Sequence, residues 1–242
     1  MENKVALIIG AGDNLGSAIA KCFAENSYTV VAARRDGSKL EVLKKNIEDS
    51  GGIFYGYSLD ARKEGDLIEF IKKIENDIGS IEVAIYNVGG NIKFDITKTT
   101  SKKYYKTWEM ATFGAFLMGR EVAKYMLPKK RGTIIFTGAT ASLRGGNGYS
   151  AFSGAKHAKR ALAQSMAREL GPQGIHVAHI IIDGAIDTPW IKELFSDFYK
   201  EKKELDGLMN PSDIAKNYLW LHQQPRNAWT HEMDLRPWIE KW

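Results

Sequence analysis

Cysteine is almost missing. Cys22 is the single one in 242 residues, so no disulfide can form within the chain, and a reducing compartment suits it. On the first helix Cys22 is expected to act as a small buried apolar residue. Proline is scarce, at 6 residues, and no Pro/Ser-rich linker, low-complexity tract or internal repeat divides the chain, so one domain is expected over 1–242. No apolar run approaches the roughly 20 residues that a membrane span needs, and the longest, around His179 to Ile182, is strand-sized. Met1-Glu2-Asn3-Lys4 leads straight into Val5–Ile9 without the basic segment, apolar core and small-residue cleavage site of a secretory leader. A cytoplasmic location with no membrane partner is the expectation. Net charge is +5, yet Lys129-Lys130-Arg131 is the sole basic cluster of three, and it lies between Pro128 and Gly132 as a turn would. No nucleic-acid partner is expected. His-Glu-x-x-His is absent, and His176 and His179 stand three apart on a strand pattern, which puts them on opposite faces. No metal site is expected.

What the chain does have is an alternation of strand and helix patterns. Val5–Ile9, Thr29–Ala33, Ile53–Leu59, Glu82–Tyr86, Thr133–Thr137 and Ile175–Ile182 read as strands. Helical spacing fills Ser17–Glu25, Lys39–Glu48, Glu64–Ile78, Lys102–Met126 (closed by Pro128) and Ser150–Leu170. This rhythm predicts an α/β fold, a doubly wound parallel sheet with helices on both faces. After Pro189 the rhythm loosens. Trp190–Lys200 looks helical, and Asn210 and Pro211 suit the N-cap and first position of another helix. The stretch around 189–209 is expected to form a substrate lid, partly apolar through Trp190, Phe195 and Phe198. The aromatics of the tail, Trp229 to Trp238, are expected to cover the core or a subunit interface.

Between the first strand and the first helix stands Gly10-Ala11-Gly12-Asp13-Asn14-Leu15-Gly16. A glycine-rich turn there lets backbone N–H groups approach a pyrophosphate at the positive end of a helix. The segment resembles the Gly-x-x-x-Gly-x-Gly turn of the short-chain dehydrogenase/reductase superfamily. Gly10 is first, Gly16 last, and Asn14 stands where the middle glycine belongs, a residue that tolerates left-handed backbone. Further segments follow in family order, so that the resemblance covers roughly residues 1 to 220. Leu59-Asp60 is similar to the pair beside the adenine, and Tyr86-Asn87-Val88-Gly89 to the Asn-Asn-Ala-Gly after the fourth strand. Phe152-x-x-x-Lys156 sits at the Tyr-x-x-x-Lys position, and Asp183-Gly184-Ala185-Ile186-Asp187-Thr188 resembles the Pro-Gly-x-x-x-Thr segment beside the nicotinamide. The resemblance implies a Rossmann-type fold and a dinucleotide held by Gly10, Asn14, Leu15, Gly16, Arg34, Arg35, Asp60, Asn87, Gly89, Lys156, Ile186 and Thr188. The second strand ends Ala32-Ala33-Arg34-Arg35, where a carboxylate would suit the ribose of NAD and a guanidinium suits a 2′-phosphate. NADPH is therefore the expected cofactor and NAD the lesser candidate, although Asp13 repels a phosphate unless it pairs with Arg34.

The catalytic pattern that the resemblance implies is incomplete. Phe152 stands for its tyrosine, Ala139 for its serine and Ala111 for its asparagine, while Lys156 matches. Positioned acid–base catalysis is typically worth a factor of about 10²–10⁴, so ordinary ketone chemistry is disfavoured. Tyr149 forms Tyr-x₆-Lys with Lys156, nearly two helical turns or about 10 Å, a spacing similar to that of enoyl-reductase relatives that saturate C=C bonds. Tyr149 is then either the proton donor or an aromatic wall of the pocket. Thr140, Ser142 and Ser153 are further hydroxyls nearby, and Asp183 is left as either a turn residue or a pocket residue. Two functions follow: an NADP(H)-dependent oxidoreductase of a small organic substrate, catalytic through Lys156 and Tyr149, or a non-catalytic NADP(H)-binding protein. Because Ser150–Leu170 is rich in alanine, as close helix packing requires, and because relatives pair through this helix, a homodimer or homotetramer is expected.

Overall fold

Seven strands run in chain order as β1 (Lys4–Ile9), β2 (Thr29–Arg34), β3 (Phe54–Ser58), β4 (Ser80–Tyr86), β5 (Thr133–Thr137), β6 (His176–Ile182) and β7 (Glu232–Leu235). In the computed structural model they form one sheet in the order β3-β2-β1-β4-β5-β6-β7, every pairing parallel. The structure describes residues 3–240; Met1, Glu2, Lys241 and Trp242, part of the expected 1–242 unit, lie outside the described residues. β4, β5 and β6 are buried at every position, and β1 at every position after Lys4, which explains why they are mainly apolar with no alternation: each face is covered by helices.

One face packs on α1 (Leu15–Glu25), α2 (Glu41–Asp49) and α9 (Pro211–Gln223). The other packs on α3 (Glu64–Asp77), α5 (Gly114–Lys129) and α6 (Ser150–Leu170). Between them, α4 (Ser101–Trp108) leads into α5 through a π turn over Glu109–Phe113, and α7 (Pro189–Leu194) and α8 (Ser196–Glu204) fill the stretch after β6. No helix among the described residues is long and apolar enough to cross a membrane.

The six expected strands and the doubly wound sheet are present, with boundaries shifted by a residue or two. Several details differ. The tail contributes a seventh strand, β7, beside β6; its Glu232 and Asp234 pair with basic groups, so it lacks the apolar signature of a strand. The long helix from Lys102 is broken by the π turn, because the Tyr86 hydroxyl donates to the Met110 carbonyl at 2.7 Å and takes an acceptor from the helix ladder. Pro128 does not close that helix. It sits in the last turn, and the chain leaves through Lys130 in the left-handed conformation (φ 50°). Trp190–Lys200 is two short helices, and Cys22 is half-buried rather than buried. Asn210 does cap α9, accepting from the Ser212 N–H at 2.8 Å, with Pro211 first in the helix.

Candidate functional site

The sheet order reverses direction between β1 and β4, and the loops leaving their carboxyl ends diverge into a cleft of about 520 Å³. Gly10, Arg34, Arg35, Asp60, Asn87 and Gly89, six of the expected cofactor residues, line it together. Gly10 has φ +94°, and a side chain there would meet the backbone of Asn87 and Val88 at 2.9 Å. Gly16 lies so close beneath the turn that a Cβ would stand 2.5 Å from the Gly10 carbonyl oxygen and 2.7 Å from Ala11 Cα. These two glycines fold the turn flat onto the start of α1. Asn87 locks it from the side: its Nδ2 donates to the Gly10 oxygen at 3.1 Å and its N–H to the Ile9 oxygen at 2.8 Å.

Asn14 is the N-cap of α1 with φ −104°, so the left-handed backbone expected of it is not used. Leu15 packs its side chain into the core and leaves only its N–H to the turn. Asn14, Leu15 and Gly16 thus shape the helix N-terminus, whose free N–H groups favour an anion.

The charges beyond the turn are divided. Arg34 pairs with Asp13 at 2.6 Å, the Asp13 side chain being 73% exposed and that of Arg34 20%. Arg35 is exposed and has no ion-pair partner among the described residues. Asp60 is held by both forks of Arg62, Nε at 2.8 Å and Nη2 at 2.6 Å, and this hydrogen bonding keeps its carboxyl below the ordinary range. Arg62 also lines the cleft and lies 3.5 Å from Glu109; sequence reasoning missed it, although a basic residue two after Asp60 was there to be weighed.

Lys156 and Tyr149 belong to α6 and the turn before it. Lys156 is fully buried, and its Nζ donates to the Thr137 oxygen at 2.9 Å and the Gly138 oxygen at 3.3 Å, at the carboxyl end of β5. Burial drives its pKa down to about 8. Phe152 is buried with its ring 5.6 Å from that nitrogen, and Ala111 lies buried in the π turn. Tyr149 is half-buried, its ring 6.3 Å from that of Phe152 and 5.9 Å from Lys93 Nζ, and its hydroxyl makes no hydrogen bond among the described residues. The other hydroxyls are occupied or enclosed. Thr140 donates to Asp183 at 2.5 Å, Ser142 accepts from the Ala139 N–H at 3.2 Å, and Ser153 is buried.

Ile186 and Thr188 follow β6. Ile186 pairs with Met209 in an isolated parallel bridge, and Thr188 caps α7 by accepting from the Ile191 N–H at 3.3 Å. Neither lines the cleft with the Gly10 group. The two readings of Asp183 resolve into a structural one. It is 1% exposed and joins Thr140, Arg144 (3.3 Å) and Arg236 (3.2 Å), so the loops after β5, β6 and β7 meet on one carboxylate. His176 Nε2 donates to the Thr230 carbonyl oxygen at 2.9 Å, and His179 meets Glu232 at 3.0 Å. No group of three or more His, Cys, Asp or Glu among the described residues is placed to hold a metal.

A family model for the short chain dehydrogenase matches residues 4–198. The chain belongs to the short-chain dehydrogenase family, a family of oxidoreductases. A short-chain dehydrogenase from Rhodopseudomonas palustris is 45% identical, covering 98% of this chain and 100% of its own, with a TM-score of 0.85. A 3-oxoacyl-[acyl-carrier-protein] reductase of Bos taurus is 25% identical over 92% of both chains. A metagenomic short-chain oxidoreductase solved in complex with NADP shares the fold at a TM-score of 0.83 and 21% identity, covering 99% of each chain. For this short-chain dehydrogenase, then, the cleft at the sheet's reversal is where the family's shared fold and the glycine turn coincide.

Proposed function

We propose that the chain is an NADPH-dependent oxidoreductase that reduces an activated C=C bond of a small organic substrate. The observation that carries this reading is the Tyr149 hydroxyl, unbonded beside α6 while Thr140 and Ser142 are committed elsewhere. A dinucleotide fits the residues present. The turn has room only for glycine at Gly10 and Gly16, as close backbone approach requires, and the cleft ends in cationic Arg34 and Arg35. Bound there, NADPH supplies hydride. Phe152 has no proton to give and Ala139 no hydroxyl to orient a ketone, so the usual serine–tyrosine pair is replaced by methyl and phenyl groups. Tyr149 donates a hydrogen bond, then a proton, to the oxygen on which charge develops, and Lys156 holds positive charge beneath the end of β5. The segment 189–209, with Trp190, Phe195 and Phe198 about half exposed, acts as a partly apolar lid. The chain works as a homodimer or homotetramer, a reading supported by Tyr104, Tyr105 and Phe116 exposed along α4 and α5.

Kinetics test the reading. NADPH is expected to be oxidised in the presence of an enone or enoyl thioester, and Tyr149→Phe to cut the rate at least about tenfold with NADPH affinity unchanged. An unchanged rate would return Tyr149 to the pocket wall. A second reading, a non-catalytic NADP(H)-binding protein, draws on buried Phe152 against Lys156. No NADPH oxidation across enones, enoyl thioesters and imines selects it.

Cofactor choice is a separate measurement. Fluorescence titration is expected to show NADPH binding about tenfold or more tightly than NADH through one charge-assisted phosphate contact. Arg35→Ala should erase more of that preference than Arg34→Ala, because Asp13 already engages Arg34. Equal affinities for the two cofactors would refute the assignment to NADPH.

A further inference from the structure

Two lysines meet in the interior. Lys156 and Lys159 lie one turn apart on the inner face of α6, both fully buried, with their Nζ atoms in hydrogen-bonding reach of each other. Neither forms an ion pair among the described residues. Buried lysines are rare unless paired with an acid, so this arrangement calls for a physical account.

Counting hydrogens provides one. The Lys156 ammonium has three N–H groups; two donate to the Thr137 and Gly138 oxygens, which leaves the third for the Lys159 nitrogen one turn along the helix. Lys159 can accept only as a neutral amine, with a lone pair turned to Lys156. It donates in turn to the Val88 oxygen at 3.1 Å, in the loop after β4 that lines the cofactor cleft. Were both charged, two cations would touch in a dry interior with no counter-ion, and six N–H groups would face the same few acceptors.

We infer that Lys156 and Lys159 share a single positive charge, and that Lys159 is a positioning residue which fixes both the charged form of Lys156 and the loop at Val88. This inference rests on the assignment of Lys156 to the site, and it extends that assignment to a second side chain. The groups facing the pair leave the charge in place. The Tyr86 ring of β4 lies 5.3 Å from Lys159 Nζ, an aromatic face toward an amine. His179 of β6 is kept neutral by burial, its pKa pushed down to about 4. Glu232 of β7 is taken by Arg160 and His179, Asp183 by Arg144 and Arg236, and Glu109 of the π turn lies beside Arg62. Tyr104 of α4 approaches α6 at Gly154.

The test needs no cofactor. In protein labelled with ¹³C at lysine Cε, NMR titration of the cofactor-free chain should show one buried lysine titrating near pH 8, lost in Lys156→Ala, and a second still neutral at that pH, lost in Lys159→Met. Lys159→Met removes the acceptor, so the Lys156 midpoint should fall by about one pH unit. Lys159→Gln, which keeps an acceptor oxygen, should hold the midpoint within about half a unit of wild type. The high-pH limb of kcat/KM against pH should move with it, which a loss of packing alone would not do. Two buried lysines titrating at ordinary lysine values, or an unmoved Lys156 midpoint in Lys159→Met, would overturn the inference. Should Lys159→Met fail to fold, the wild-type titration decides by itself. Failure of every alkene to be reduced would remove the proposed reaction and leave this titration standing.

Discussion

Gly16→Val is expected to abolish dinucleotide binding, with NADPH affinity down at least about a hundredfold by fluorescence titration. A Cβ at this position stands 2.5 Å from the Gly10 oxygen and 2.7 Å from Ala11 Cα. Both are backbone atoms at the turn that must receive the phosphates, so the strain cannot be relieved by rotating a side chain. The branched valine adds two methyl groups to that collision. Gly12→Ala is the control: no atom lies within 4 Å of its added Cβ, and affinity should change by less than about threefold. Equal effects at Gly12 and Gly16 would show that the flat turn is not what binds the cofactor.

Stability should depend on pH in two windows, for one reason and in one direction: burial disfavours the cationic form of a base. His179 is neutral in the fold down to about 4, whereas in the unfolded chain it gains its proton near 6.5. Between those values the unfolded chain binds more protons, so lowering pH from about 6.5 to 4 favours unfolding, by about 3 kcal/mol for this residue. His222, pushed to about 4 by burial near Tyr28 and Thr133, acts in the same window. Lys156 releases its proton near 8 when folded and near 10.5 when unfolded. Raising pH through that interval therefore favours folding, again by about 3 kcal/mol. Urea unfolding at pH 4.5, 6.5, 8 and 9.5 should give midpoints that rise at each step. A midpoint that falls between pH 8 and 9.5 would contradict the buried, uncompensated state of Lys156.

The sheet and the cofactor turn were legible because each is written locally. Val5–Ile9, Thr133–Thr137 and the β6 run are buried on both faces, so they appear as mainly apolar stretches. Gly10, Gly16 and Asn87 could be placed because a strand, a glycine turn and a helix follow in order, and the three do come together. What the sequence hid depends on partners distant in the chain. Glu232 looks like a solvated residue until Arg160 and His179 are brought beside it. Asp183 could not be assigned before Thr140, Arg144 and Arg236 converged on it. Lys159 shares the buried stripe of α6 with Lys156, Phe152, Ala155 and Ala163, whereas a lysine is ordinarily taken to extend into water. The π turn was invisible because its cause is one phenol on β4, Tyr86, reaching a helix 24 residues away.

The last strand gives synthesis an order. β1 through β6 and the glycine turn are complete once residue 182 is made, yet Glu232 and Arg236, which join His179 and Asp183, lie about fifty residues further on. A chain emerging from the ribosome therefore forms its nucleotide half first, with an acid and an imidazole at the sheet's open edge still waiting for their partners. Until β7 docks, that edge is a row of unpaired N–H and C=O groups with two polar side chains behind it, the part of the nascent protein most in need of shelter.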